Sequence, residues 1–544
     1  MRWPLAVAAL PLISTLAFAQ VRETVDVTIT NLDLVVTDSR GKAVRGLAKG
    51  EFDLLEGGKA REITNFSEVS AAMPATGSVV AAPSRSVLIV FDNTTLTMPN
   101  RRKAADAVKG WMAGQLRPAD RIAVLTVMPG LQMKQPWTFD SRAAAAAVDV
   151  VAGEGTTMIE QERREAESRI DEVVRRAGSL SQNERPPDFD EMTQAVRAYS
   201  AALMRDCASA LYSIKASIAY FPPNAQKKVI ILVGEGMPTN PGSDLFHYLN
   251  NVKMNIEAGA GPQVLRKGAS TASPLTEASE FDLGPVLRDV TSTATRRGVM
   301  LYAINPGQNE KSGGTVADTQ PGDIRVQFAT SAGNRAGYEA LVRGTGGTAF
   351  YGTPPEGALA QISNDLDAYY SLGYRAVPGT DPNAPMVVKS KSGYKVRVNR
   401  AAAPQSADDR MRETVLANHI TAPASNDLRI ALAADPPVAD GDRRKVHLKV
   451  LIPIDSLQID RDGEEVAGGF TVYVSSGDNR GAATTVNRQE HQFRWPATAV
   501  PSLKGKTITF AVDVLVPAGL NQISVGVIDQ HSQQTGFDRL ALGV

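Results

Sequence analysis

The residues best able to do chemistry are the polar run Asp92-Asn93-Thr94-Thr95, which follows the apolar stretch Val87 to Phe91. Five consecutive apolar residues, three of them β-branched, read as a strand buried on both faces of a parallel sheet. A carboxylate at the carboxyl end of such a strand stands where open α/β sheets place ligands, in the crevice above the strand tips. Three readings follow for Asp92. Beside hydroxyls it can offer hard oxygen donors to a divalent cation. Paired with a second carboxylate, Glu235 in Val233-Gly234-Glu235-Gly236, it can form the acid–base pair of a hydrolase. Or it does no chemistry and caps the turn or helix after it, a stabilisation of about 1 kcal/mol.

Other constellations are poorer. The histidines, His247, His419, His447, His491 and His531, have no metal-ligand spacing, which argues against zinc. No Gly-x-Ser-x-Gly elbow occurs, so nucleophilic catalysis has no visible machinery. Gly344-Thr345-Gly346-Gly347-Thr348 follows a helical pattern and precedes a strand, the reverse of a phosphate-cradling loop, and reads as a turn. Asp455, Asp460, Asp462 and Glu464 match no calcium-loop spacing and read as a solvated hairpin.

The elements that must position Asp92 come from the whole chain. Its 544 residues exceed what one hydrophobic core supports, so several domains are expected. The 58 basic and 58 acidic residues cancel, leaving no global field that points to nucleic acid or an anionic membrane surface. Residues 1–19 read as a signal peptide, with Arg2, an apolar run and cleavage after Ala17-Phe18-Ala19, so the protein is expected to be exported: periplasmic, at the cell surface or secreted. No later run approaches the ~20 apolar residues a bilayer requires, so no integral span is expected after signal removal. The single cysteine, Cys207, shares a helical face with Leu203, Leu211 and Ile214 and reads as a buried structural thiol.

In order, residues 21–70 alternate apolar and polar in short runs broken by turns, which predicts a small antiparallel β-rich domain. Residues 71–84, rich in Ala, Pro, Gly and Ser, read as a linker. Residues 85–377 alternate strands and helices, the grammar of a doubly wound parallel sheet of about six strands. Strands are expected at Val87–Phe91, Arg121–Met128, Val229–Val233, Val299–Ile304 and Thr348–Tyr351, with helices from Arg101 and from Asp140. Residues 378–423 read as a connector with one strand, and residues 424–544 as an antiparallel β-sandwich of about seven strands.

Asp92 to Leu96, Gly155-Thr156-Thr157, the VIILVGEG segment and the late Gly-Gly-Thr-Ala-Phe resemble the signposts of a von Willebrand factor type A domain. The NLDLVVTDSRGKAVRGLAKGEFDLLEGGK opening, the Tyr-Ser-Leu-Gly-Tyr segment and the closing VGVIDQHSQQTGF resemble the von Willebrand A-related proteins of the Acidobacteria, a similarity that runs from Val21 to Val544. The resemblance implies a metal-ion-dependent adhesion site in which Asp92 and Thr94 match the first loop, Thr156 the second-loop threonine, and Glu235 the third-loop aspartate. The ion implied is magnesium or calcium. Leu96 stands where a second hydroxyl is expected, and Glu235 is one methylene longer than Asp.

Together these readings give a non-enzymatic, exported adhesion or scaffold protein that binds another protein at the strand-tip loops, through a degenerate metal site. The alternatives are a structural envelope protein with a vestigial site, and the Asp92/Glu235 hydrolase.

Overall fold

The computed structural model describes residues 29–70, 79–81, 83–128, 130–154, 165–166, 168–172, 189–221, 227–260, 273–307, 335–375, 386–400, 406–420, 423, 425–478 and 483–542. The signal segment and Thr156 lie outside the described residues.

The central strand runs Arg85–Asp92 and every one of its residues is buried. Successive side chains of a strand point to opposite faces, so an unbroken apolar run needs a core on each. Val87, Ile89 and Phe91 join one core with Ala104, Val108 and Trp111 of the helix Met98–Gln115 and with Ala144 and Val148 of the helix Ser141–Gly153. Leu88 and Val90 join the other, with Cys207, Leu211 and Ile214 of the helix Phe189–Ala219 and Leu287 of the helix Gly284–Arg296. The thiol of Cys207 is buried there, as its helical face predicts.

Six strands form this sheet, in the order Ala349–Phe350, Val299–Ile304, Lys227–Val233, Arg85–Asp92, Arg121–Met128, Gly130–Thr138. All pairings are parallel except the last. In chain order this is 3-2-1-4-5-6 read from the Gly130 edge, the doubly wound arrangement. The edge strand Gly130–Thr138 is absent from the sequence reading, because Gln132, Lys134, Gln135 and Pro136 break its apolar pattern; a half-exposed edge tolerates both polar residues and proline.

The base of the central strand is held by a buried ion pair. Arg85 donates from Nε and Nη2 to Asp120 Oδ2 at 2.8 and 2.6 Å, and its backbone N donates to Asp120 Oδ1 at 2.9 Å. Both side chains are shut off from solvent.

The N-terminal β region is completed by later chain. Ile29–Thr37 pairs antiparallel with Ala368–Arg375 on one side and Lys395–Arg400 on the other, and Phe52–Glu56 pairs with Met386–Ser390. The expectation of a connector over 378–423 is corrected accordingly: this stretch supplies two strands to the N-terminal sheets and a helix, Ala407–Ala417. The Tyr-Ser-Leu-Gly-Tyr segment lies in the central strand of the N-terminal sheet, with Tyr370, Leu372 and Tyr374 packed on Leu32, Leu34 and Phe52. Strand propensity was visible in the sequence, but pairing across more than 300 residues leaves no local signal.

Beyond the helix Ala407–Ala417, two sheets stack around Leu428, Val446, Leu448, Val450, Phe470, Val472, Val525 and Val527. That helix bridges the units. Met411 and Val415 pack on Tyr473, Ile528 and Phe537 of the sandwich, while Ala417 and Ile420 join the core of the α/β domain. No helix among the described residues is long and apolar enough to cross a membrane.

Candidate functional site

The strand order reverses between Arg85–Asp92 and Lys227–Val233: from the first the chain winds one way, and the second lies on its other side. The carboxyl ends of these two strands flank the switch point, where doubly wound sheets hold ligands. Asp92 ends one of them and Glu235 follows the other by two residues.

Asp92 is 0% exposed. Its Oδ1 accepts from Thr94 N at 3.2 Å and from the Thr94 hydroxyl, and its backbone O accepts from Thr95 N and Leu96 N at 3.2 and 3.1 Å. These bonds fold residues 92–96 into a tight loop. Oδ2 is buried and has no hydrogen-bond partner. Burial raises the pKa of the carboxyl, and the hydrogen bonds from Thr94 oppose that rise only in part. Gly234 makes room beside it, since a Cβ there would lie 2.1 Å from the Tyr338 hydroxyl and 3.1 Å from Asp92 Cβ.

Glu235 does a different job. Its Oε1 accepts from Thr97 N at 2.7 Å, Thr97 Oγ1 at 2.6 Å and Asn100 Nδ2 at 3.0 Å. Thr97 is the N-cap of the helix Met98–Gln115, yet its own side chain makes no capping bond. The carboxylate of Glu235, reaching across from a neighbouring strand, accepts an amide at that helix start and sits favourably at the positive end of the helix dipole. The extra methylene over Asp carries it there. Its backbone ties two more loops in: Glu235 N donates to Thr95 Oγ1 at 3.2 Å, and Asn305 Nδ2 donates to Glu235 O at 3.1 Å.

A residue the sequence reading left in the amphipathic helix completes the arrangement. Arg101, 3% exposed, donates from Nε to Asn93 Oδ1 at 3.1 Å and from Nη2 to Leu96 O at 2.6 Å. Burial lowers its pKa, while the charges of Glu235 and Glu154 hold it up. Asn93 in turn donates to Val151 O and Glu154 O at 3.3 and 3.1 Å, locking the loop to the end of the helix Ser141–Gly153. The guanidinium thus pins the loop from beneath. Nothing in the sequence singles it out, since Arg102 and Lys103 follow it and the three together read as a solvated basic run.

The donors can be tested against the cation that the resemblance implies. Asp92 and Thr94 stand together, as ligands of one ion would. Leu96 is 2% exposed and packs in the core, and the Glu235 Oε1 is committed to the helix start. Among the described residues no group of three or more His, Cys, Asp or Glu side chains is placed to hold a metal. Calcium takes 6–8 oxygens and magnesium a near-ideal octahedron. The described residues do not fit that demand.

No family model matches the chain, and no curated protein matches it in sequence. Solved structures do. An aerotolerance-related membrane protein from Bacteroides fragilis is similar over 52% of this chain and 98% of its own, at 9% identity and a TM-score of 0.23. The vWF domain of the type V pili tip protein Mfa5 from Porphyromonas gingivalis is similar over 53% and 96%, at 10% identity and 0.26. Manganese-loaded TRAP protein from Plasmodium vivax is similar over 78% and 96%, at 10% identity and 0.22. The fold described above rests on strand order and pairing, not on these likenesses.

Proposed function

We propose that the chain is a non-enzymatic binding protein whose α/β domain engages a protein partner at the strand-tip face, and that this face works without a bound cation. One observation carries the reading: loops after three strands converge at the switch point, fastened to one another by Glu235, Thr95 and Asn305 and to the helix Met98–Gln115 by Arg101. A face fixed in this way is preorganised, which lowers the entropy lost on binding. Around it stand part-exposed hydroxyl and amide groups, those of Thr94, Thr97, Asn100 and Asn305, with Met98 exposed to 54% beside them as an apolar anchor.

The hydrolase reading is disfavoured by the same geometry. A catalytic pair needs to reach substrate, whereas Asp92 is wholly buried and three donors hold Glu235 Oε1. Export, from the 1–19 segment, and von Willebrand A-related kinship of the Acidobacteria kind belong to this proposal and are supported by sequence alone.

The test is site-directed crosslinking in the native host. A photoreactive residue at Met98 is expected to give a defined protein adduct in the presence of chelator, and one at Val438, 65% exposed on the sandwich, is not. Adduct at neither position, or equal adduct at both, contradicts the proposal.

A further inference from the structure

The sandwich is closed along one side and open along the other. On the closed side Ala431–Ala434 lies against Thr535–Ala541. On the open side each sheet ends in a long strand: among the described residues, Asn487–Pro496 pairs only with Glu465–Gly477, and Thr507–Pro517 only with Arg443–Pro453. The His491 and Phe510 rings meet at 4.6 Å, so one edge lies above the other.

Inward-facing residues of these edges are only half-buried: Gln489, His491, Phe493 and Trp495 on one, Ile508, Phe510, Val512 and Val514 on the other. One strand further in, Phe470 and Val472 are 3% and 1% exposed, and Val446, Leu448 and Val450 are 0%. Among the described residues the core therefore runs out to an uncovered apolar seam. Edge strands usually carry devices that prevent pairing, such as charges on the edge. Here the charges are themselves a code.

The ladder fixes which backbone groups face outward. Ala497 N donates to Glu464 O at 2.8 Å, which extends the pairing of Asn487–Pro496 by one rung and gives its phase. Odd-numbered residues therefore bond inward, and the backbone N–H and C=O groups of Arg488, Glu490, Gln492 and Arg494 point out of the sheet edge.

We propose that this edge is a self-association surface, at which two copies of the chain join their Asn487–Pro496 strands antiparallel about a twofold axis through Gln492. In that register Glu490 of each copy stands opposite Arg494 of the other, and outward-bonding residues meet outward-bonding residues throughout. On the inner face His491 meets Phe493 of the second copy, an aromatic cross-strand pair that covers the seam. Moving the axis toward Arg488 sets Arg488 against Arg494; moving it the other way separates Glu490 from Arg494. A free peptide of arbitrary sequence has no such complementarity, whereas a second copy has it twice, as an isologous contact requires. In the single chain Glu490 pairs with Arg488, and Arg494 lies 3.7 Å from Glu465, both solvent-exposed contacts of small worth that can be exchanged.

The test is light scattering of the full chain after size exclusion, across a range of concentrations. Wild type is expected to be a dimer. Glu490→Arg and Arg494→Glu each place like charges face to face and are expected to weaken dimerisation by about tenfold or more. The double variant Glu490→Arg/Arg494→Glu restores opposite charges and is expected to restore the dimer. Both positions of change are solvent-exposed, and circular dichroism checks that each variant stays folded. A wild-type monomer at every concentration, a dimer indifferent to both single changes, or a double variant that stays monomeric would each overturn the proposal.

Discussion

At the scale of single residues, the site is a set of commitments that leave few oxygens free. Glu235 is the clearest case, because its length, visible in the sequence as a departure, has a use only the structure shows. Replacing it by Ala removes the acceptor for Thr97 N at the helix start; the expected loss is about 1–2 kcal/mol in chemical denaturation. Gln at the same position keeps an oxygen there and is expected to lose less. Asp92 gives a prediction in pH. Its pKa is raised by burial above the ordinary value near 4, so the folded state keeps its proton to higher pH than the unfolded state does. Stability from that group is present at low pH and is lost as pH rises through the unfolded and then the folded pKa. Asp92→Asn keeps an oxygen for Thr94 and never ionises. Its melting temperature relative to wild type is expected to be higher at pH 7 and to converge as pH falls toward 4. A constant offset across that range would contradict a buried, raised carboxyl. The place of Asp92 was legible from five apolar residues and the carboxylate that ends them. Arg101 was not, since an arginine in an amphipathic helix is ordinarily solvated, and its burial depends on a loop folding over it.

At the scale of elements there are two anchors, one at the foot of the sheet that carries the strand-tip face and one between that domain and the sandwich. Arg85 and Asp120 form a buried pair at the foot of the central strand, and truncating either removes the other's shortest contacts, leaving Arg85 with Asp367 at 3.3 Å or Asp120 with Arg117 at 3.2 Å. Arg85→Ala or Asp120→Ala is expected to cost about 3 kcal/mol in equilibrium unfolding, the low end for a broken buried pair because a second partner remains. The second anchor is the helix Ala407–Ala417 with His419 just beyond it. That imidazole is 1% exposed, its Nε2 lies 3.2 Å from Ser475 Oγ, and burial depresses its pKa to about 4. Its contribution is present above the unfolded pKa near 6.5 and is lost as pH falls through that value toward 4. Unfolding measured from pH 7 to 4 is expected to show a loss of up to about 3 kcal/mol from this group, and His419→Gln a flatter profile. A variant profile parallel to wild type would contradict it. Periodicity made the strands and helices of the doubly wound sheet readable. It failed at Gly130–Thr138, whose polar and proline residues suit an exposed edge, and at 378–423, whose partners lie hundreds of residues upstream.

At the scale of the whole molecule, the sequence order of the units is not their spatial order. The chain leaves its N-terminal sheets to build the α/β domain, returns to complete them with Ala368–Arg375, Met386–Ser390 and Lys395–Arg400, and only then enters the sandwich. The strand-tip face is thus carried on a domain held at both ends of its own sequence. The central claim is that this face is set by internal contacts and binds its partner without an ion. Calorimetric titration of the intact chain with manganese, magnesium and calcium tests it most directly. The account expects no saturable heat with any of the three and no change in melting temperature on adding chelator. A stoichiometric heat that disappears in Asp92→Ala would contradict it.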